Sequence, residues 1–128
     1  MKIEHLAFNV PDPLNMARWY VEHLGFVVRR RMMESPWAHF LADDSGTVML
    51  EIYGNRDADS LSFPDVSPPA LHLAFVSEDL AADVNRLQRA GASVEADVHT
   101  VDNGDTFAML RDPWGVPIQL VRRQQSMI

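Results

Sequence analysis

From Lys2 to Val10 the chain alternates, with Leu6, Phe8 and Val10 on one side of an extended segment and Ile3, His5 and Ala7 on the other. A period of two predicts a strand with one buried face. Asp12 and Pro13 then stand where a helix N-cap and first helical residue belong: the aspartate oxygen can accept an orphan N–H, and proline has no N–H to lose. Leu14, Ala17, Val21 and Leu24 recur at helical spacing, and Gly25 suits the left-handed residue that closes a helix. Three strand-like stretches follow, Phe26 to Met32, Trp37 to Ala42 and Thr47 to Tyr53, with Asp43-Asp44-Ser45-Gly46 turning between the last two.

The same order returns in the second half. Leu71 to Val76 reads as a strand, and Leu80, Val84, Leu87 and Ala90 as a helical stripe closed by Gly91. Strands are expected at Ser93 to Val98, Thr106 to Leu110 and Val116 to Val121, with Asp112-Pro113-Trp114-Gly115 as a turn. The tetrapeptide His-Leu-Ala-Phe occurs at His5 and again at His72, 67 positions on; Gly25 and Gly91 are 66 apart, Phe40 and Phe107 67, and Glu51 and Gln119 68. A register that drifts by only a residue or two over a whole unit marks a duplicated module. The prediction is an α+β chain of two tandem β-α-β-β-β modules. Module 1 covers 1–53 and module 2 covers 71–121, within a single domain spanning 1–128.

Gly54 to Ala70 is polar, carries Pro64, Pro68 and Pro69, and reads as a connector between the modules. Extended, it reaches ~55 Å. The tail at 122–128 has no periodicity and is expected to fray.

Composition narrows the function. A chain of 128 residues with 47% hydrophobic and 23% charged content can bury a real core without staples. Net charge is −7, with basic residues scattered apart from Arg29-Arg30-Arg31 and Arg122-Arg123, which argues against nucleic acid as a partner. No apolar run approaches the ~18 residues of a membrane span. Glu4 and His5 interrupt any secretory signal segment, so a cytoplasmic location is expected. With no cysteine, disulfides and thiolate sites are excluded, and a metal could be held only by His, Asp, Glu or neutral oxygen donors.

Candidate chemistry lies on the strand faces turned away from the helices. Glu51 sits between Leu50 and Ile52, and a glutamate there is costly unless it faces water, a cation or a cavity. Gln119, between Ile118 and Leu120, takes the matching place in module 2. If first and last strands are neighbours, His5 with Glu51 and His72 with Gln119 become cross-strand pairs, with Cβ atoms ~5 Å apart. Any one of these residues alone is more simply a surface or satisfied side chain. Two histidines and a carboxylate in duplicated positions point instead to a metal site. His23, His39 and His99 have no symmetric counterpart and are given no role. Trp19, Tyr20, Trp37 and Trp114 are read as packing, Trp37 on one strand face with His39 and Leu41.

The stretches "KIEHLAFNVPD", "WYVEHLGF", "MLEIYGN", "LHLAFVSEDLAADVNRLQRAGA" and "RDPWGVPIQLV" together resemble the vicinal oxygen chelate superfamily, which includes glyoxalase I, extradiol dioxygenases and bleomycin-resistance proteins. The pattern is most similar to bacterial glyoxalase I. The resemblance implies curved mixed sheets around a cavity, and a divalent ion (Ni, Zn, Mn, Fe or Co) held by His5, Glu51, His72 and Gln119. It also implies a small-molecule substrate and a homodimer with sites shared between chains. Glyoxalase I has glutamate where this chain has Gln119. An amide oxygen can coordinate, but it is neutral and cannot act as a base, so Glu51 is left as the candidate catalytic base. That departure weakens glutathione-dependent isomerisation of methylglyoxal as the activity.

The reading that follows is a metal-dependent lyase or isomerase of the glyoxalase type, acting on a small oxygen-rich substrate chelated through vicinal oxygens. The alternative is a metal-free protein that binds and sequesters a small molecule, as bleomycin-resistance proteins do. A third reading is an extradiol-type dioxygenase, since two histidines and a carboxylate also serve non-haem iron. Extradiol enzymes usually carry the carboxylate on the last strand, whereas here it is in the first module.

Overall fold

The computed structural model describes residues 1–127. Its elements run β1 (His5–Asn9), α1 (Pro13–Leu24), β2 (Val27–Arg31), β3 (His39–Ala42), β4 (Met49–Tyr53), a 3₁₀ turn (Phe63–Asp65), β5 (Leu73–Val76), α2 (Leu80–Arg89), β6 (Ser93–Thr100), β7 (Thr106–Arg111) and β8 (Pro117–Arg122). The order is β-α-β-β-β twice. Each repeat forms its own four-stranded sheet, β1-β4-β3-β2 and β5-β8-β7-β6, in which first and last strands pair in parallel and the other pairs are antiparallel. Both sheets are therefore mixed. Two compact units result, Met1–Leu61 and Ser62–Ile128.

In unit 1, Asp12 caps α1 by accepting from the Asn15 backbone N–H, Pro13 opens the helix, and Gly25 closes it at φ 75°. The helix packs on β3 and β4. Its buried face is not the stripe that Leu14, Ala17, Val21 and Leu24 suggest: Leu14 and Val21 are exposed. Pro13, Met16, Ala17 and Tyr20 are buried instead, at i, i+3, i+4 and i+7. Both sets are apolar and helically spaced, so the choice of phase fell to the bulkier one that fills the space over the sheet. In unit 2 the expected stripe holds, with Leu80, Val84 and Leu87 buried and α2 lying on β6, β7 and β8.

The connector is anchored at both ends. The Asn9 amide donates to the carbonyls of Asn55 (3.0 Å), Ala58 (3.1 Å) and Asp59 (3.2 Å), and its oxygen accepts from the Asn55 N–H at 2.8 Å. This holds the first part to unit 1. Arg111 holds the next part to unit 2: its guanidinium donates to the carbonyls of Phe63 (3.1 Å), Val66 (3.0 Å) and Gly115 (2.9 Å), and to Glu95 at 2.6 Å. Gly115 sits at φ 89° in the Asp112 turn, where a Cβ would come within 2.6 Å of Pro64. Only glycine fits there.

The tail does not begin to fray at Arg122, which ends β8. Beyond it, the Asp105 carboxylate accepts from Arg123 at 2.9 Å and from the Gln124 N–H at 2.8 Å, and the Gln124 side chain donates to the Gly104 carbonyl. Ile128, the last residue of the expected tail, lies outside the described residues. The bonds from Arg123 and Gln124, with one from Asn103, hold Asp105 below its ordinary carboxylate range against the opposing effect of burial. A depressed carboxylate stabilises the fold above its unfolded pKa of about 3.9, and that stabilisation is lost as the pH falls through the lower folded value. Asp105→Asn is therefore expected to melt below wild type at pH 7, with the gap closing as the pH drops below about 4. Melting curves across that range check it; a constant gap would show that the charge is not what matters.

Candidate functional site

In unit 1 the face away from α1 is built from alternate residues of β1, β3 and β4. Leu50 and Ile52 turn into the core, so Glu51 between them turns out of it, half-buried. Phe40 lies opposite Glu51 on β3, and Ala7 opposite it on β1. His5, which pairs with Met49, is one step down the same face, so the His5–Glu51 pair is diagonal rather than directly opposed. The side chains close that gap: His5 Nε2 lies 3.4 Å from Glu51 Oε2, and the His5 ring meets Phe40 edge-on at 5.6 Å. Two donors each about 2.1 Å from one ion lie at a similar separation, so this half of the donor set fits a divalent cation.

The other ring nitrogen of His5 is engaged too. Nδ1 donates to the Glu4 carboxylate, and Nε2 is the nitrogen that faces Glu51. The hydrogen bond to Glu4 raises the His5 pKa above 6.5; partial desolvation opposes this, and the charges of Glu4 and Glu51 add to it.

In unit 2, β5 and β8 repeat the parallel pairing, with Ala74 opposite Gln119 and His72 two residues before Ala74. His72 itself lies just before β5, which begins at Leu73 and not at Leu71 as the alternation suggests, so it precedes the paired register that holds Gln119. His72 Nδ1 lies 2.8 Å from the Pro68 carbonyl. A carbonyl only accepts, so Nδ1 carries the proton and Nε2 is left with its lone pair. Gln119, between the buried Ile118 and Leu120, faces Met109 across β7 and opens on a hollow of about 410 Å³ lined by Phe107, Met109, His99, Pro68 and Pro69. Among the described residues, no three His, Asp or Glu side chains converge as a preformed metal cluster.

The remaining histidines keep to packing and local bonds. His39 is buried on the core face opposite Ile52, its Nδ1 bonded to the Trp37 carbonyl, and His99 bonds the Asp97 carbonyl in the same way. The His23 ring lies tilted against Trp19, with centroids 5.3 Å apart. Trp37 is not on a strand with His39 and Leu41: β3 begins at His39, and Trp37 takes φ 58° at the end of the loop before it. Glu4 is the site residue that pattern reading missed, because position 71 of the repeat holds leucine and symmetry gives no hint of it.

Residues 2–120 match the family model of the Glyoxalase/Bleomycin resistance protein/Dioxygenase superfamily. The chain belongs to that superfamily. Among solved structures, that of SMU.1112c is 32% identical over 95% of this chain and 98% of its own, with a TM-score of 0.71. A glyoxalase I variant from Zea mays superposes with a TM-score of 0.75 at 20% identity, covering 97% of this chain and 46% of the maize protein. TnmS3, an antibiotic binding protein from a Streptomyces species, gives a TM-score of 0.65 at 24% identity over 94% of this chain and 93% of its own. The last two likenesses are of fold. A search of curated proteins finds no significant match. Superfamily membership accounts for the duplicated unit, and the resemblance carried by the repeat and the Asp112–Gly115 turn holds. No helix among the described residues is long and apolar enough to cross a membrane.

Proposed function

We propose that this superfamily member is a metal-dependent lyase or isomerase of the glyoxalase type, acting on a small substrate held through two neighbouring oxygens. His5, Glu51, His72 and Gln119 are the ligands for a divalent ion, drawn from both units, and the protein works as a homodimer with sites shared between chains. The observation that carries this reading is the 3.4 Å approach of His5 Nε2 to Glu51 Oε2, on the sheet face turned away from the helix. In unit 2 the duplicated positions of His72 and Gln119 support it.

When bound, the ion supplies Lewis-acid stabilisation of the oxyanion that forms as a proton leaves the carbon beside a carbonyl. Glu51 is the only carboxylate of the four and takes that proton. Gln119 contributes a neutral amide oxygen, so the set carries a single negative charge and favours an anionic, oxygen-rich substrate. The hollow beside Gln119, walled by Phe107 and Met109, seats the carbon body of the substrate. That same apolar hollow favours a second reading, a metal-free protein that sequesters a small molecule; TnmS3, of the same fold, is an antibiotic binding protein.

Metal content separates the two readings. Protein purified without chelator or affinity tag is expected to carry a divalent ion, and adding Ni²⁺, Zn²⁺ or Mn²⁺ to the stripped protein to raise its melting temperature. At a free ion concentration of about 100 Kd the gain is about 2.7 kcal/mol. Protons compete for the histidines, and the His5 pKa is raised above 6.5, so the gain is expected to fade as the pH falls through that raised value. Substoichiometric metal with no melting response moves the assignment to the sequestering protein. A response unchanged by His5→Ala or His72→Ala places the ion elsewhere.

A further inference from the structure

The duplication breaks at one position beside the site. The step that carries His5 to His72 carries Glu4 to Leu71. The two histidines are accordingly held by different devices: His72 Nδ1 by the neutral carbonyl of Pro68, and His5 Nδ1 by the Glu4 carboxylate. We propose that Glu4 is a positioning residue for His5, fixing its ring with Nε2 toward Glu51 and strengthening Nε2 as a donor. This rests on the metal-centre reading above.

Three observations support the assignment. First, Glu4 holds the ring at Nδ1 while Nε2 lies 3.4 Å from Glu51, so the Glu4 hydrogen bond fixes which nitrogen faces Glu51. A carboxylate accepting from a ligating histidine both fixes the tautomer and raises the basicity of the other nitrogen. Second, Gln119 replaces a charged ligand by a neutral one, and Glu4 returns a negative charge one layer further out. Such a group has a reason to stand in unit 1 even though unit 2 lacks it. Third, the Glu4 side chain is 66% exposed and that of His5 35%. An ion pair this open to water contributes little to the stability of the fold, so stability is a poor explanation for it.

The test uses the full chain, stripped of metal and titrated with Ni²⁺ by calorimetry. Glu4→Ala is expected to weaken binding about tenfold while the metal-free melting temperature stays at the wild-type value. Glu4→Gln keeps an oxygen that can accept from Nδ1 and is expected to fall between the two. Glu4→Ala binding as tightly as wild type overturns the assignment, as does a lowered melting temperature of its metal-free form. Glu4→Gln no better than Glu4→Ala also overturns it, since the hydrogen bond would then do nothing. His5→Ala, run alongside, keeps the two ideas apart. If it abolishes binding while Glu4→Ala does not weaken it, only the role of Glu4 falls. If His5→Ala binds normally, the metal centre itself is wrong and the role of Glu4 goes with it.

Discussion

Refolding His5→Ala and His72→Ala chains together is expected to return about a quarter of wild-type metal binding, although each variant alone binds none. The figure follows from random pairing. Half the dimers are mixed, and in each of these, with sites built from unit 1 of one chain and unit 2 of its partner, both defects fall in one site and the other is intact. If each site is confined to one chain, every site keeps a defect and the mixture stays inactive. The duplicated unit makes both arrangements chemically equivalent, because either brings one His5–Glu51 pair to one His72–Gln119 pair. Calorimetry with Ni²⁺ on the co-refolded mixture, against each variant refolded alone, decides it. No recovery would confine the proposed site to single chains.

Gln119→Glu is expected to raise activity on the methylglyoxal–glutathione hemithioacetal by about a hundredfold, the scale on which a well-placed general base acts. The substitution hardly changes shape, and the residue stands on a face that opens on the hollow beside Phe107 and Met109. What changes is chemistry. An amide oxygen donates electron pairs but cannot hold a proton at neutral pH, whereas a carboxylate does both. Wild type already matching the variant would show that the neutral fourth ligand is no obstacle. A variant that binds metal more tightly yet gains no turnover would locate the missing determinant in the substrate-binding walls.

Much of the architecture was legible because it is local or repeated. Asp12, Pro13 and Gly25 bound α1 by capping chemistry that acts within a few residues, and they stand where pattern reading puts them. The alternation Leu50-Glu51-Ile52 fixes which face Glu51 takes, and the register between His5 and His72 carries the same logic into unit 2. The mixed sheets were not derivable from periodicity, which says nothing of strand order; they came with the family resemblance.

What the sequence left open is decided by contacts between distant residues. Two helically spaced apolar sets compete on α1, and only packing over the sheet selects Met16 and Tyr20 above Leu14 and Val21. The tail looks featureless until Asp105, 18 residues before Arg123, takes its hydrogen bonds. Arg111 reads as one more surface charge until its guanidinium gathers three carbonyls from Phe63, Val66 and Gly115. The site divides in the same way. Residue types and duplicated spacing single out His5, Glu51, His72 and Gln119, because side-chain period and chain repeat are properties of the sequence itself. The diagonal offset of His5 and Glu51, and the capture of His5 by Glu4, depend on strand register and rotamers, which form only once the sheet is hydrogen-bonded.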